Sequence, residues 1–305
     1  MSKKTVILNV CDKLGIFHLT KLLFRKRLQI LCYHGFEVSD ETKFRPQLFI
    51  GENTFTNRLK ILKKANFSVI PLEEAIQHLD NKSLPNNSIV ITIDDGFYNV
   101  RKIAAPALSS FNFPSTLYLT TYYSVKGTPI FRLVVQYLFW KTKKEKLNLA
   151  ELGIAPFQET LTLADDNPEL REKIATIYEY CELNYKEPER LAISQKLASL
   201  LDIDIDPIIN SRMLGLVTLS EAKELKAMGM DIQLHTHRHI LPQQDEDIAK
   251  NEITENRRII QETLTGDFTH FCYPSGQWNK EQWPWLASVN ITSATTCEGG
   301  FNTYH

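Results

Sequence analysis

Three short clusters concentrate the side chains able to do chemistry in this chain of 305 residues. They are Asp94-Asp95-Gly96, His235-Thr236-His237-Arg238-His239 and Tyr273-Pro274-Ser275-Gly276. Two adjacent carboxylates repel one another and are costly to desolvate unless a cation offsets them. A glycine directly after them lets the backbone turn so that both carboxylates face one pocket. One can then bind a metal while its neighbour stays free as a base. Alone, Asp-Asp-Gly is also a common solvated turn. His235 and His239 are spaced so that two imidazoles can reach one ion. Two histidines and one carboxylate leave coordination positions open, as catalytic zinc and related centres need. His237, between them, is expected to point elsewhere, and Thr236 to hydrogen-bond nearby groups. Alone, this second cluster also reads as a surface group of histidines.

The runs that precede these clusters say how they are held. Residues 88–93 form the most strand-like run in the chain and end at Asp94; 28–33 end at His34, 230–234 at His235, and 270–273 run into the third cluster. Further strands are expected at 67–72, 115–121 and 291–297, and helices at 55–65, 72–79, 100–111, 245–264 and 281–289. Alternating strands and helices predict an α/β fold around a parallel sheet. In such folds ligands sit at the carboxyl ends of strands. Three polar clusters at three strand ends therefore predict one site.

Between about 124 and 215 the texture becomes helical, with helices expected at 131–140, 168–183 and 188–201. We read 124–215 as a helical insertion within a single catalytic domain spanning 1–305. The chain stops at His305 soon after Gly299-Gly300, before any further helix, and reads as truncated.

Composition narrows the function classes. Apolar residues make up 43% and charged residues 23%, ordinary globular usage. A formal net charge of -1 gives no bulk field for nucleic acid. Five scattered cysteines without a C-x-x-C pair argue against a disulfide framework. No secretory leader and no membrane-spanning run is read, so a cytoplasmic protein is expected. Residues 14–31 mix apolar side chains with Lys21, Arg25, Lys26 and Arg27, which reads either as a packing helix or as a basic amphipathic segment in peripheral contact with a membrane.

Together the clusters resemble the three motifs of the NodB-type polysaccharide deacetylases, carbohydrate esterase family four. The family's T-F-D-D-G is similar to Thr92-Ile93-Asp94-Asp95-Gly96, its H-[ST]-x-x-H to His235 through His239, and its R-x-P-Y-G to Cys272-Tyr273-Pro274-Ser275-Gly276. The motif order agrees. The resemblance implies a distorted (β/α) barrel and a metal-dependent hydrolase that removes an N-acetyl group from a sugar. It implies Asp94 as general base and Asp95, His235 and His239 as ligands of a divalent metal, zinc by default with nickel, cobalt or manganese as alternatives. The Ser275 backbone N–H would bind the oxyanion, and Tyr273, Pro274 and Gly276 would line the substrate. Two departures stand out. Cys272 occupies the place of the arginine that orients the base, and the family's C-terminal histidine acid is not visible. His34 is the substitute candidate for that acid, with a structural role as its alternative, and His270 is expected to be structural.

With no export signal read and the insertion expected to form a lid or wall over the barrel mouth, the chain is expected to act on a biosynthetic intermediate of a surface glycan. A sugar deformylase is a second reading, because the motifs see only the amide. A non-catalytic glycan-binding barrel is a third, fed by the missing arginine. A cysteine hydrolase using Cys32 or Cys272 with His34 is more remote.

Overall fold

The computed structural model describes residues 3–163 and 168–304. Seven strands build its central sheet: β1 Gln29–Tyr33, β2 Ser68–Val69, β3 Ser88–Ile93, β4 Ser115–Leu119, β5 Met230–Leu234, β6 His270–Cys272 and β7 Ser293–Thr295. Their order is β1-β3-β4-β5-β6-β7, with β2 also pairing β3. Every pairing is parallel, with Tyr33 opposite Ile93 and Leu119 opposite Leu234. The sheet curls into a distorted barrel clad by helices, the expected α/β architecture. Asn302 and Leu28 exchange two backbone hydrogen bonds of 3.0 Å, bringing the following segment back to the start of β1.

Side chains alternate across a strand, so residues two apart share a face. Ile89, Ile91, Ile93, Leu117, Leu119, Ile232, Leu234 and Phe271 lie in the large core shared with the helices. Val90, Tyr118, Cys272 and Leu28 form a second cluster inside the barrel, completed by Leu72, Ala75 and Leu84. The helix Leu72–Asp80 thus seals the end of the barrel away from the clusters.

Most predicted elements sit within a few residues of their expected bounds, but two strands are shorter. The run 67–72 pairs only at Ser68–Val69 before Pro71, which has no N–H to donate, and 291–297 pairs only at Ser293–Thr295. A helix at Leu219–Ala227, absent from the sequence reading, is opened by a reciprocal cap. The Thr218 hydroxyl accepts the Glu221 N–H at 3.2 Å and the Glu221 carboxylate accepts the Thr218 N–H at 2.8 Å.

Between β4 and β5 stand the helices Phe131–Lys141, Pro168–Asn184 and Glu187–Leu200 and a small antiparallel ribbon, Lys146–Asn148 with Thr160–Thr162. Strands that short left no alternation to read. Val134, Leu138, Ile177 and Leu197 join the same core as Ile91 and Leu117. On its return the chain clamps the first cluster. The Val217 N–H donates to Gly96 O at 2.9 Å, Tyr98 N–H donates to Gly215 O at 2.9 Å, and the Arg212 guanidinium lies 3.9 Å from the Tyr98 ring centre. Among the described residues no helix is long and apolar enough to cross a membrane.

Candidate active site

Strand alternation explains which side chains meet. Ile30, Cys32 and His34 share a face, as do Val90, Thr92 and Asp94, then Asp231, Gln233 and His235, then His270 and Cys272. Because Leu28, Val90 and Cys272 face the interior, Cys32, His34, Asp94 and His235 emerge from the barrel at its mouth. Asp95 has the opposite parity and would face the helices if the strand continued. Instead it takes a left-handed φ of 70°, followed by Gly96 at 91°. A Cβ on Gly96 would stand 2.4 Å from Leu119 Cδ1, so glycine is required for both conformation and space.

This turn sets Asp95 Oδ1 3.3 Å from His235 Nε2 and 3.1 Å from His239 Nε2. Thr236 (φ 62°), His239 (59°) and Ser275 (57°) are left-handed as well. Each cluster thus contains a non-glycine residue in a conformation that costs on the order of 1–3 kcal/mol, a cost the surrounding packing must hold.

The helix Glu246–Gln261 does much of that holding. Its fully buried Asn256 accepts the His235 N–H at 3.1 Å and donates to Leu119 O and Thr121 Oγ1, both at 3.0 Å. Its fully buried Glu252 accepts from the Arg238 N–H at 2.7 Å and the Arg238 Nε–H at 2.6 Å. Both were missed from the sequence, although their i, i+4 spacing on an amphipathic helix marks them as polar residues on the buried side. His237 points elsewhere, with Nδ1 2.9 Å from Thr121 Oγ1. The Thr236 hydroxyl, expected to find a partner, is buried without one.

The donor set fits a cation. His235 Nδ1 lies 2.8 Å from Cys272 O, and a carbonyl only accepts, so Nδ1 carries the proton. In the neutral ring Nε2 is then a bare lone pair facing the Asp95 carboxylate. Two acceptors at 3.3 Å repel unless a proton or a metal ion stands between them. Burial disfavours the charged form of His235, yet its hydrogen bond to Asp95 and the neighbouring carboxylates raise its pKa. Burial likewise opposes ionisation of Asp95, but the charge of His239 and hydrogen bonds from both histidines hold its carboxyl well below the usual range. A proton shared between His235 Nε2 and Asp95 Oδ1 would relieve this conflict. A divalent cation on Asp95, His235 and His239 would meet it directly, and these ligand atoms lie within 4.8 Å of one another. The Cys272 carbonyl would orient His235 from behind.

Asp94 has different company. Its Oδ2 lies 3.2 Å from Cys32 Sγ, 3.3 Å from Cys272 Sγ and 3.9 Å from His34 Nε2. Local desolvation and the Asp94 charge push both thiols up, the exposed Cys32 as well as the buried Cys272, so they remain protonated donors, which disfavours either as a nucleophile. Asp94 Oδ1 is buried without a partner. Where the resemblance implies an arginine, the base therefore carries two neutral thiols.

The third cluster contributes mainly backbone. Tyr273 has the parity opposite to Cys272, so its buried ring turns outward against Phe271 and Trp278, with centroids 5.2 and 6.4 Å away. Its side chain is thus directed toward the outer side of the sheet, where it lines a pocket with Trp278 and Trp283. Pro274 is buried, and Ser275 is exposed in the turn. A Cβ on Gly276 would fall 2.7 Å from Cys297 Cβ, so this glycine permits close packing against the segment after β7. His270 is fully engaged, with Nε2 2.8 Å from Glu73 and Nδ1 2.9 Å from Ser293.

Residues 208–294, which contain the second and third clusters, match the family model described as polysaccharide deacetylase. The chain is similar in fold to a Streptococcus pyogenes deacetylase, PplD, in complex with acetate: 19% identity, TM-score 0.57, 91% of this chain and 86% of that one. It is similar to IcaB from Ammonifex degensii at 15% identity and TM-score 0.56, over 91% and 87% of the two chains. A de-N-acetylase from Aggregatibacter actinomycetemcomitans is similar at 14% identity and TM-score 0.54, over 91% and 90%. These structures share the fold. No curated protein matches the chain.

Proposed function

We propose that this chain is a metal-dependent hydrolase that removes the N-acetyl group of a sugar, a reading supported by the match of residues 208–294 to the polysaccharide deacetylase family model. The observation that carries this reading is the pair of facing acceptors, His235 Nε2 and Asp95 Oδ1, beside a second carboxylate with an unpartnered oxygen.

A divalent cation held by Asp95, His235 and His239, zinc by its donor set, would supply Lewis acidity toward the amide carbonyl and toward water. Asp94 is the general base. With the two thiols on Oδ2, the open oxygen Oδ1 takes the proton of the attacking water. His34, beside Asp94, returns a proton to the departing amine. The Ser275 backbone N–H donates to the developing oxyanion, an interaction typically worth about 3 kcal/mol of barrier. General acid–base transfer contributes roughly 10²–10⁴-fold. Amide and water become acetate and a free amino sugar.

The substrate in this reading is a cytoplasmic intermediate of surface-glycan assembly, with the helices of the insertion beside the barrel mouth selecting it. The test is metal content by elemental mass spectrometry for the wild type, Asp95→Ala and His235→Ala, alongside acetate release from N-acetylated nucleotide sugars. About one divalent ion per chain, lost in both variants together with acetate release, supports the reading. A wild type that cannot be loaded and releases nothing overturns it in favour of a binding barrel.

A further inference from the structure

Two helices precede the barrel, α1 Lys3–Lys13 and α2 Ile16–Leu23, joined through Gly15 in a left-handed turn at φ 69°. They pack on one another, and α2 contains no buried residue. Leu14 is 69% exposed, Leu23 66% and Ile7 61%, with Leu19, Leu22 and Phe17 also open. More than half of the large apolar side chains left exposed among the described residues lie between Val6 and Leu23. An apolar face of this extent implies something that covers it.

The attachment to the barrel leaves that face free. Lys21 donates to the Ala65 carbonyl and lies 4.8 Å from the Phe67 ring centre, while Phe24 stacks on Phe301 at 4.8 Å. These contacts fix one side of the segment to the body.

Charge identifies the cover. No acidic residue occurs between Asp12 and Glu37, while Lys13, Arg25, Lys26 and Arg27 flank α2 in sequence and are exposed, Lys26 also donating to the Leu84 carbonyl at 2.9 Å and Arg27 lying over the Phe24 ring. An apolar face with cationic flanks suits a helix lying in the headgroup region of an anionic bilayer. A second copy would bring two such sets of cations together, and like charges across a two-fold axis repel. We propose that α1 and α2 dock this protein on the surface of a membrane rich in anionic lipid. The docking does not depend on the catalytic reading above, because vesicle binding is measured without turnover.

The experiment is flotation of the full chain with phosphatidylcholine vesicles, with and without phosphatidylglycerol. Binding is expected only with the anionic lipid and should weaken as salt rises. Leu19→Glu/Leu23→Glu is expected to reduce binding by on the order of tenfold or more, and Lys13→Glu/Arg25→Glu by a smaller factor. Both variants should keep the wild-type melting temperature and the wild-type rate on a water-soluble substrate. Absence of binding to anionic vesicles at low salt overturns the proposal, as does equal binding by the leucine variant. A dimer in light scattering that the leucine variant converts to a monomer overturns it in favour of a second copy as the cover.

Discussion

The barrel carries two histidine–carboxylate clusters, one at each end, with the Glu73 side chain of one of them exposed. At the sealed end, His270 meets Glu73 and Ser293, and its backbone N–H donates to Gln233 at 3.0 Å beside a cavity of about 680 Å³. At the mouth, His235 and His239 meet Asp95 beside Asp94. The residue types are similar but the hydrogen-bond accounting is not. Both ring nitrogens of His270 have a partner of their own. At the mouth, a lone pair of His235 faces a carboxylate, and Asp94 Oδ1 has no partner. Buried polar groups are normally satisfied, so the unpartnered Asp94 Oδ1 and the facing acceptors of His235 and Asp95 support the proposal that a cation and a substrate bind at the mouth. Asp95, Thr236, His239 and Ser275 at the mouth are held in left-handed backbone.

Substitutions can break this contrast. The largest effect is expected for Asp95→Ala or His235→Ala, which should lose bound metal and reduce acetate release to background. Asp94→Asn should lower kcat by roughly 10²–10⁴-fold while metal content stays at the wild-type level, separating base from ligand. Loss of metal in Asp94→Asn would mean that both carboxylates bind the ion. Asn256→Ala removes the acceptor of the His235 N–H. Metal affinity should fall by about 10–100-fold and stability by about 1–3 kcal/mol, read by metal titration and by denaturant melts.

At the other end, His270→Ala should cost about 1 kcal/mol of stability and leave metal content and kcat unchanged. A loss of activity there without unfolding would erase the distinction between the two clusters. The smallest effects belong to the thiols. Cys32→Ala or Cys272→Ala each removes one weak neutral donor from Asp94, so kcat should fall about two- to tenfold. A much larger loss, restored by Cys→Ser, would give the thiols a decisive part in positioning the base.

Much of this was legible locally. The run 88–93 has the β-branched texture of a buried strand, and its end at Asp94-Asp95-Gly96 is where the structure ends β3. The helices Phe131–Lys141 and Pro168–Asn184 differ from their sequence reading by a residue at one end. The parity that turns Tyr273 away from the interior was also available, since Cys272 and Tyr273 are neighbours on one strand. The cap at Thr218 and Glu221 was a local signal as well. The exposure of α2 was not, because an amphipathic pattern specifies that one face is apolar and not what lies against it.

The sequence by itself determined the strands, their inward and outward faces and the chemical types gathered at their ends, because these follow from backbone preference and two-residue alternation. The tertiary structure alone decided which ends meet. The approach of Cys272 to Asp94, 178 residues apart, depends on the order β1-β3-β4-β5-β6-β7. So does the reach of Asn256 from a later helix to both His235 and Leu119. No local pattern contains that order, which is set by how the whole set of apolar faces can be buried at once.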